Sequence, residues 1–337
     1  MEYALYELRD ILRNLKLQLD DFERRVPAYN FDLSKEIPKN PLLQYICAML
    51  SELAYHHIAE FELREDNHQR AMLIPCDEFE RLISLAGTVS HDLERLTYQL
   101  ELAKDIFVIE TDMLIAVVFR WKDLLFISFR GTIPFYMHDW AINFAVSNTQ
   151  GLHLGFAKEA NRISNLLRKE IPKRFGDSDG YTEYKHIFFT GHSLGAAVAS
   201  ISQQLLEIKQ TTPPQRHSIV FGSPRYCIDY AYLNTIPPPI GPLEPPTFFR
   251  RHGDLVPTIP PLIFGYCNPP AEFNSESGAL MAPSEIESYD SVGIWDWGNF
   301  LRRLTGPHKI RNYRQDLGRV ARAKYSERLL VPWPKQE

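Results

Sequence analysis

Cysteine is scarce in this chain. Four residues, Cys47, Cys76, Cys227 and Cys267, are scattered over 337 positions, and no two have C-x-x-C spacing. This excludes a small disulfide-stapled scaffold and a C-x-x-C metal or redox motif, so the cysteines read as buried or free thiols. Basic charge is not in excess either: 37 Lys+Arg stand against 42 Asp+Glu, a formal net charge of −5. A strongly basic nucleic-acid binder is therefore excluded as the default reading. Long hydrophobic runs are missing too, the longest being the seven residues Met113 to Phe119, far short of the about twenty that cross a bilayer as a helix. The first thirty residues carry charges throughout and lack the apolar core and small-residue cleavage site of a secretory signal. A soluble protein with a cytoplasmic location is expected, with peripheral membrane contact and signal-independent secretion left open.

Glycine is unevenly distributed. Of seventeen glycines, residues 1–105 contain only Gly87, and they also hold 20 Asp+Glu against 12 Lys+Arg. Such an acidic, leucine-rich, glycine-poor stretch reads as helical. Within it Leu5, Leu8, Leu12, Leu15, Leu19, Phe22 and Val26 alternate spacings of three and four, a heptad seam that ends at Pro27. The seam can pack along its own domain, join two chains as a homodimer, or lie on a membrane surface. A second helix is expected from Pro41 to about Glu62, and shorter ones near Asp77 and Ser90.

Beyond residue 105 the pattern changes to short apolar runs: Ile106 to Ile109, Met113 to Phe119 and Leu124 to Phe129, the last two separated by the turn Trp121-Lys122-Asp123. A helical stretch, Ala157 to Glu170, precedes the run Ile187 to Thr190. Ala196 to Lys209 is helical again, and the runs Ser218 to Phe221 and Thr247 to Arg251 follow. Strands alternating with helices imply an α/β fold, a mainly parallel central sheet covered on both faces. Two units result: a helical N-terminal extension over 1–104, packed on an α/β domain over 105–330. Twelve of the 24 prolines fall between Pro237 and Pro283, so that region should be turn and extended loop.

The segment that carries chemistry is Ile187-Phe188-Phe189-Thr190-Gly191-His192-Ser193-Leu194-Gly195-Ala196-Ala197. An apolar strand runs into Gly-x-Ser-x-Gly and then into a helix of small residues, which is the context of a nucleophile elbow. Ser193 would sit exposed on a strained turn. Gly191 and Gly195, with His192 between strand and nucleophile, form the support, since side chains at the glycines would strike neighbouring backbone. The Leu194 amide, at the N-terminus of the following helix, is the natural first donor to an oxyanion. A serine hydroxyl needs a base to take its proton and an acid to orient that base, and in this architecture they follow in the order acid, histidine. Asp254, at the C-terminal end of the run Thr247 to Arg251, fits the acid, and His308, in the loop opened by Gly306-Pro307, fits the base.

These residues resemble those of the class 3 lipases, the fungal-lipase-like α/β hydrolases. The likeness rests on seven motifs in order: Phe129-Arg130-Gly131-Thr132 with Asp139-Trp140, His153-Leu154-Gly155-Phe156, the elbow around Ser193, Phe221-Gly222-Ser223-Pro224-Arg225, Asp254-Leu255-Val256-Pro257, Pro260-Pro261, and His308 followed by Tyr313. They span roughly 105–315. The resemblance implies an α/β-hydrolase fold, a Ser193-Asp254-His308 triad, and an oxyanion hole shared by the Thr132 and Leu194 amides. It also implies a lid between Thr132 and His153.

The function so indicated is a serine carboxylester hydrolase acting on lipid esters as a triacylglycerol lipase or esterase, through an acyl-enzyme and with no metal or organic cofactor. Alternatives are a phospholipase A1 or lysophospholipase, or a catalytically silent lipid-binding module. The expected partner is a lipid ester at a membrane or droplet interface, not nucleic acid. Two further features bear on that contact. The aromatic stretch Ile294 to Leu301 either touches lipid or walls an acyl pocket. Residues 302–328, with nine Lys+Arg against two Asp+Glu, form either a solvated helix face or a patch for an anionic surface.

Overall fold

The computed structural model describes residue 15 and residues 40–56, 105–111, 114–131, 148–149, 151–175, 184–206, 214–235, 243–290 and 307–325. The remaining heptad positions, the helices expected near Asp77 and Ser90, Thr132 with most of the expected lid, and the 294–301 stretch lie outside these residues.

The first helix, α1, spans Pro41–Leu53. Asn40 caps it by accepting from the Leu42 and Leu43 amides, at 3.0 and 3.4 Å, and Pro41 fills the first position, where no donor is needed. The helix ends earlier than the sequence suggests, passing into a 3₁₀ turn over Ala54–His56. Three antiparallel strands follow: β1 (Ile106–Glu110), β2 (Ile115–Trp121) and β3 (Leu124–Phe129). The expected turn joins the last two, with Lys122 at φ 53°. A two-stranded ribbon, β4 (Asn148–Thr149) with β5 (Leu152–His153), leads straight into α2 (Leu154–Phe175). That helix extends past both expected ends and runs through Pro172, which falls in its last turn.

The parallel part then builds up as β6 (His186–His192), α3 (Leu194–Leu205), β7 (Gln215–Phe221), β8 (Thr247–Arg250) and β9 (Glu272–Asn274). Two helices close the described chain, α4 (Pro283–Asp290) and α5 (Ile310–Tyr325). The main sheet has the order β1-β2-β3-β6-β7-β8-β9 and is parallel from β3 onward. The strand β9 lies in the proline-rich region read from sequence as loop. It is held there partly by a fully buried ion pair, Arg250 Nε to Glu272 Oε2 at 2.8 Å.

Because side chains alternate across a strand, each face of the sheet has its own core. On one face Ile187, Phe189 and Val220 join α2 and α3. On the other, Phe126, Phe188, Phe221 and Phe249 pack with α1 and α5, and Leu15, the one described member of the heptad seam, is buried in the same cluster. This is the expected α/β arrangement, a mainly parallel sheet covered on both faces. Two of the cations of the basic α5 are paired. Arg314 is buried against Glu52 of α1 in an ion pair, and Arg319 pairs with the buried Asp316.

Candidate active site

At the end of β6 the chain must reverse into α3 within one residue. Ser193 does this at φ 58°, ψ −130°, a left-handed conformation rare for a side chain other than glycine. The two glycines beside it are there for lack of room. A Cβ on Gly191 would lie 2.5 Å from the Gly195 carbonyl oxygen, and one on Gly195 would lie 2.2 Å from the Phe129 carbonyl oxygen. The Ser193 amide donates to the Phe221 carbonyl at 3.0 Å, tying the elbow to the adjacent strand end. Leu194 is the first residue of α3, so its N–H has no helical acceptor and points out of the helix N-terminus.

Asp254 follows β8 and is fully buried. Its Oδ1 accepts from the Val256 amide at 2.9 Å. Its Oδ2 faces His308 Nδ1 at 2.8 Å and also accepts the Tyr313 hydroxyl. Burial pushes this carboxyl up, but the His308 charge, the hydrogen bonds from His308 and Tyr313, and the Val256 amide together outweigh it, leaving Asp254 below the usual carboxylate range. An ionised Asp254 keeps the proton of His308 on Nδ1 and leaves the Nε2 lone pair for chemistry. Tyr313 is itself fixed by the Arg251 amide, which donates to its hydroxyl at 3.1 Å. Burial and the Asp254 charge raise the phenol well above its ordinary value, so it stays a donor.

Among the described residues, Ser193 Oγ and His308 Nε2 are buried without a hydrogen-bond partner. Neither atom is hydrogen-bonded to the other or to any other described group, so both are left open to a ligand. Gly222, just after β7, lies against the acid–base pair at φ 54°. A Cβ there would come within 2.8 Å of Asp254 Oδ2 and 3.0 Å of His308 Cε1.

His192 underlies this group. Its ring lies 4.4 Å from that of His308, centre to centre, and its Nδ1 meets the Tyr55 hydroxyl at 2.8 Å. Burial and the neighbouring His308 charge hold His192 well below its ordinary value, so it is a neutral wall for the site. Of the residues picked out in the sequence, Ser193, Leu194, Asp254, His308, Gly191, His192 and Gly195 converge here. Thr132 lies outside the described residues, but its neighbour Gly131 touches the elbow: a Cβ on Gly131 would fall 2.9 Å from Ser193 Cβ. Sequence reasoning missed Tyr55, which belongs to no motif. Gly222 and Tyr313 stand in motifs without a role assigned to them there, although a glycine just past a strand end and a tyrosine five residues beyond the base are the signals that could have found them.

Among the described residues no cluster of His, Cys, Asp or Glu could hold a metal ion, and no helix is long and apolar enough to cross a membrane.

Residues 126–264 match the family model described as Lipase (class 3). A secreted mono- and diacylglycerol lipase 1 of Fusarium solani is 27% identical over 177 residues, 49% of this chain and 49% of its own length. The triacylglycerol lipase OBL1 of Arabidopsis thaliana is 28% identical over 229 residues, 54% of this chain and 39% of its own. The chain therefore spans about half, or less, of the length of these curated relatives. Among solved structures, the Rhizomucor miehei lipase propeptide complex is 25% identical, with a TM-score of 0.40 over 50% of this chain and 57% of that one.

Proposed function

Because residues 126–264 match the class 3 lipase family model, we propose that the protein is a serine carboxylester hydrolase acting on lipid esters. The observation that carries this reading is the Asp254–His308 pair, 2.8 Å between Oδ2 and Nδ1, with the His308 ring 4.4 Å from that of His192, the residue before the strained Ser193. In the proposed reaction Ser193 Oγ attacks the ester carbonyl while His308 Nε2 takes its proton. The Leu194 amide, together with the Thr132 amide, holds the oxyanion. His308 then protonates the departing alcohol, and water, deprotonated by the same nitrogen, releases the fatty acid from the acyl-enzyme.

An apolar substrate is supported by the segment that follows the acid. From Leu255 to Ala271, seventeen consecutive residues carry no charge. Within them a 3₁₀ turn exposes Leu262, Ile263 and Phe264, Ile263 to 79% of its surface. Exposed apolar side chains grouped together are costly in water and fit contact with lipid.

Short p-nitrophenyl esters should be hydrolysed, and Ser193→Ala should lose at least about a thousandfold in kcat, the scale of removing a triad member. An unchanged rate would eliminate the mechanism. A panel of triacylglycerol, phosphatidylcholine and monoacylglycerol, each with and without an interface, separates a lipase from a phospholipase.

A further inference from the structure

The segments that follow β7 and β8 run side by side, and each carries a cysteine. Cys227 and Cys267 bring their Sγ atoms to 3.9 Å, although they stand 40 positions apart in the chain. Their backbones are paired as well: the Cys267 amide donates to the Cys227 carbonyl at 3.0 Å. A direct backbone hydrogen bond brings two Cα atoms into the range that a disulfide spans, about 4.4–6.8 Å. Cys227 is buried, whereas Cys267 is partly exposed.

We propose that Cys227 and Cys267 are a reversible dithiol–disulfide pair, a modification site that closes a covalent ring around Asp254 when the thiol–disulfide balance turns oxidising.

The surroundings are already arranged as a clasp. Arg225 ties the same two segments, its Nε to Asn268 Oδ1 at 2.8 Å and its Nη1 to the Pro260 carbonyl at 2.8 Å, while its amide donates to the Ile259 carbonyl at 2.7 Å. Both sulfurs are therefore held in place before any bond forms, which limits the backbone movement that closure requires. The two thiols are also unequal. The hydrogen bond from Cys227 lowers Cys267, with burial and the Asp229 charge opposing and the Arg225 charge assisting, whereas the same contact and burial raise Cys227. The more exposed sulfur is thus the more easily ionised, as the attacking thiol of a pair should be. Cys47, buried in α1 and pushed upward by burial, has no comparable neighbour sulfur among the described residues.

With glutathione disulfide as oxidant, the Cys267 thiolate attacks one of its sulfurs, the S–S bond of glutathione breaks, and one glutathione leaves as thiolate. Cys227 then loses its proton to that thiolate, and its sulfur displaces the second glutathione from Cys267. Two electrons and two protons pass from the pair to two molecules of glutathione, and excess thiol reverses the sequence.

The test uses the full-length protein equilibrated in glutathione buffers from fully reducing to fully oxidising, quenched with acid and alkylated, then mapped by mass spectrometry without reduction. A peptide linking Cys227 to Cys267, two hydrogens lighter than its parts, is expected, growing with the oxidised share of the buffer. Its formation should raise the melting temperature read by circular dichroism by about 5 °C, since the ring removes freedom from the unfolded chain. Cys267→Ser should lose both changes, and Cys47→Ser should keep them. Three results would overturn the proposal: both thiols remaining alkylatable in glutathione disulfide alone, Cys267 stopping at the glutathione adduct, or a linked pair that leaves the melting temperature unmoved. All readouts are independent of ester hydrolysis.

Discussion

The hydroxyl of Tyr55 stands 2.8 Å from Nδ1 of His192. The N-terminal part of the chain thereby reaches to within one residue of Ser193, across 137 positions of sequence. Tyr55 is delivered by the tight turn that ends α1, and the helix itself is bonded to the same strand, Ser51 Oγ lying 3.1 Å from Thr190 Oγ1. Removing the hydroxyl in Tyr55→Phe leaves a buried imidazole nitrogen unpaired. The expected cost is about 1 kcal/mol of stability in urea denaturation, with a loss in kcat of less than about tenfold, because the ring keeps its place. A loss as large as that of Ser193→Ala would instead make Tyr55 part of the chemistry.

Two glycines with similar backbone angles should respond differently to the same change. Gly222 (φ 54°) has the acid–base pair within 3 Å of where a Cβ would sit, whereas Gly265 (φ 84°) has nothing within 4 Å. Gly265→Ala should cost about 1–2 kcal/mol for a left-handed alanine and leave the rate alone. Gly222→Ala carries the same strain and must also displace Asp254 or His308, so ester hydrolysis should fall about a hundredfold. Equal rates in the two variants would show that the crowding at Gly222 is relieved without moving the pair.

Acid should weaken the fold in two stages. Burial lowers His153 and His186 to about 4, and burial with the neighbouring His186 lowers His217 to about 3. The unfolded chain takes up these protons near pH 6.5 and the folded one does not, so stability should decline as pH falls from about 6.5 towards 4. Asp254 has the opposite origin and the same direction: its folded value lies below the unfolded one, so its contribution is full above about pH 4 and is lost as pH falls through the folded value. Urea midpoints should drop across the upper window, and less steeply in His217→Gln. Identical slopes in that variant and the parent would remove His217 from the account.

The ion pair between Glu52 and Arg314 joins α1 to α5, with both side chains less than one tenth exposed. Glu52→Gln leaves a buried guanidinium without its counter-charge and should cost about 3–5 kcal/mol. The double change Glu52→Leu with Arg314→Met should recover most of that loss, because an apolar pair of similar volume avoids burying charge at all. Calorimetry of the two variants checks the order; a double variant no better than the single would mean that the pair is needed for more than neutralisation.

How much of this could be read in advance follows the range of the interaction involved. The elbow is local, its constraint contained between Gly191 and Gly195, and the parallel strands announce themselves as apolar runs. Asp254 and His308 were accessible through their order in the chain and their strand-end positions. Contacts closed across long separations left no pattern. Tyr55 reaches His192 from a segment with no motif, and Glu52 reaches Arg314 across 262 positions. The basic composition of 302–328 pointed outward because a lone sequence does not show which arginine has a buried carboxylate waiting. The strand β9 was hidden by its prolines, since three residues that fit a sheet edge are too few to overcome them. The turn at Ala54 has neither glycine nor proline to mark it, so the sequence pattern runs the helix on past it.

The place of α1 also fixes an order of events during synthesis. This apolar helix emerges before the strand it covers: Thr190 of β6 lies 139 positions beyond Ser51, and the charge that neutralises Glu52 comes 262 positions after it. Until that intervening stretch has left the ribosome, α1 lacks the sheet it rests on and Glu52 the arginine it meets. The helix is thus completed long after it is made, and chaperones able to shelter a short apolar helix should associate with the nascent chain over that interval.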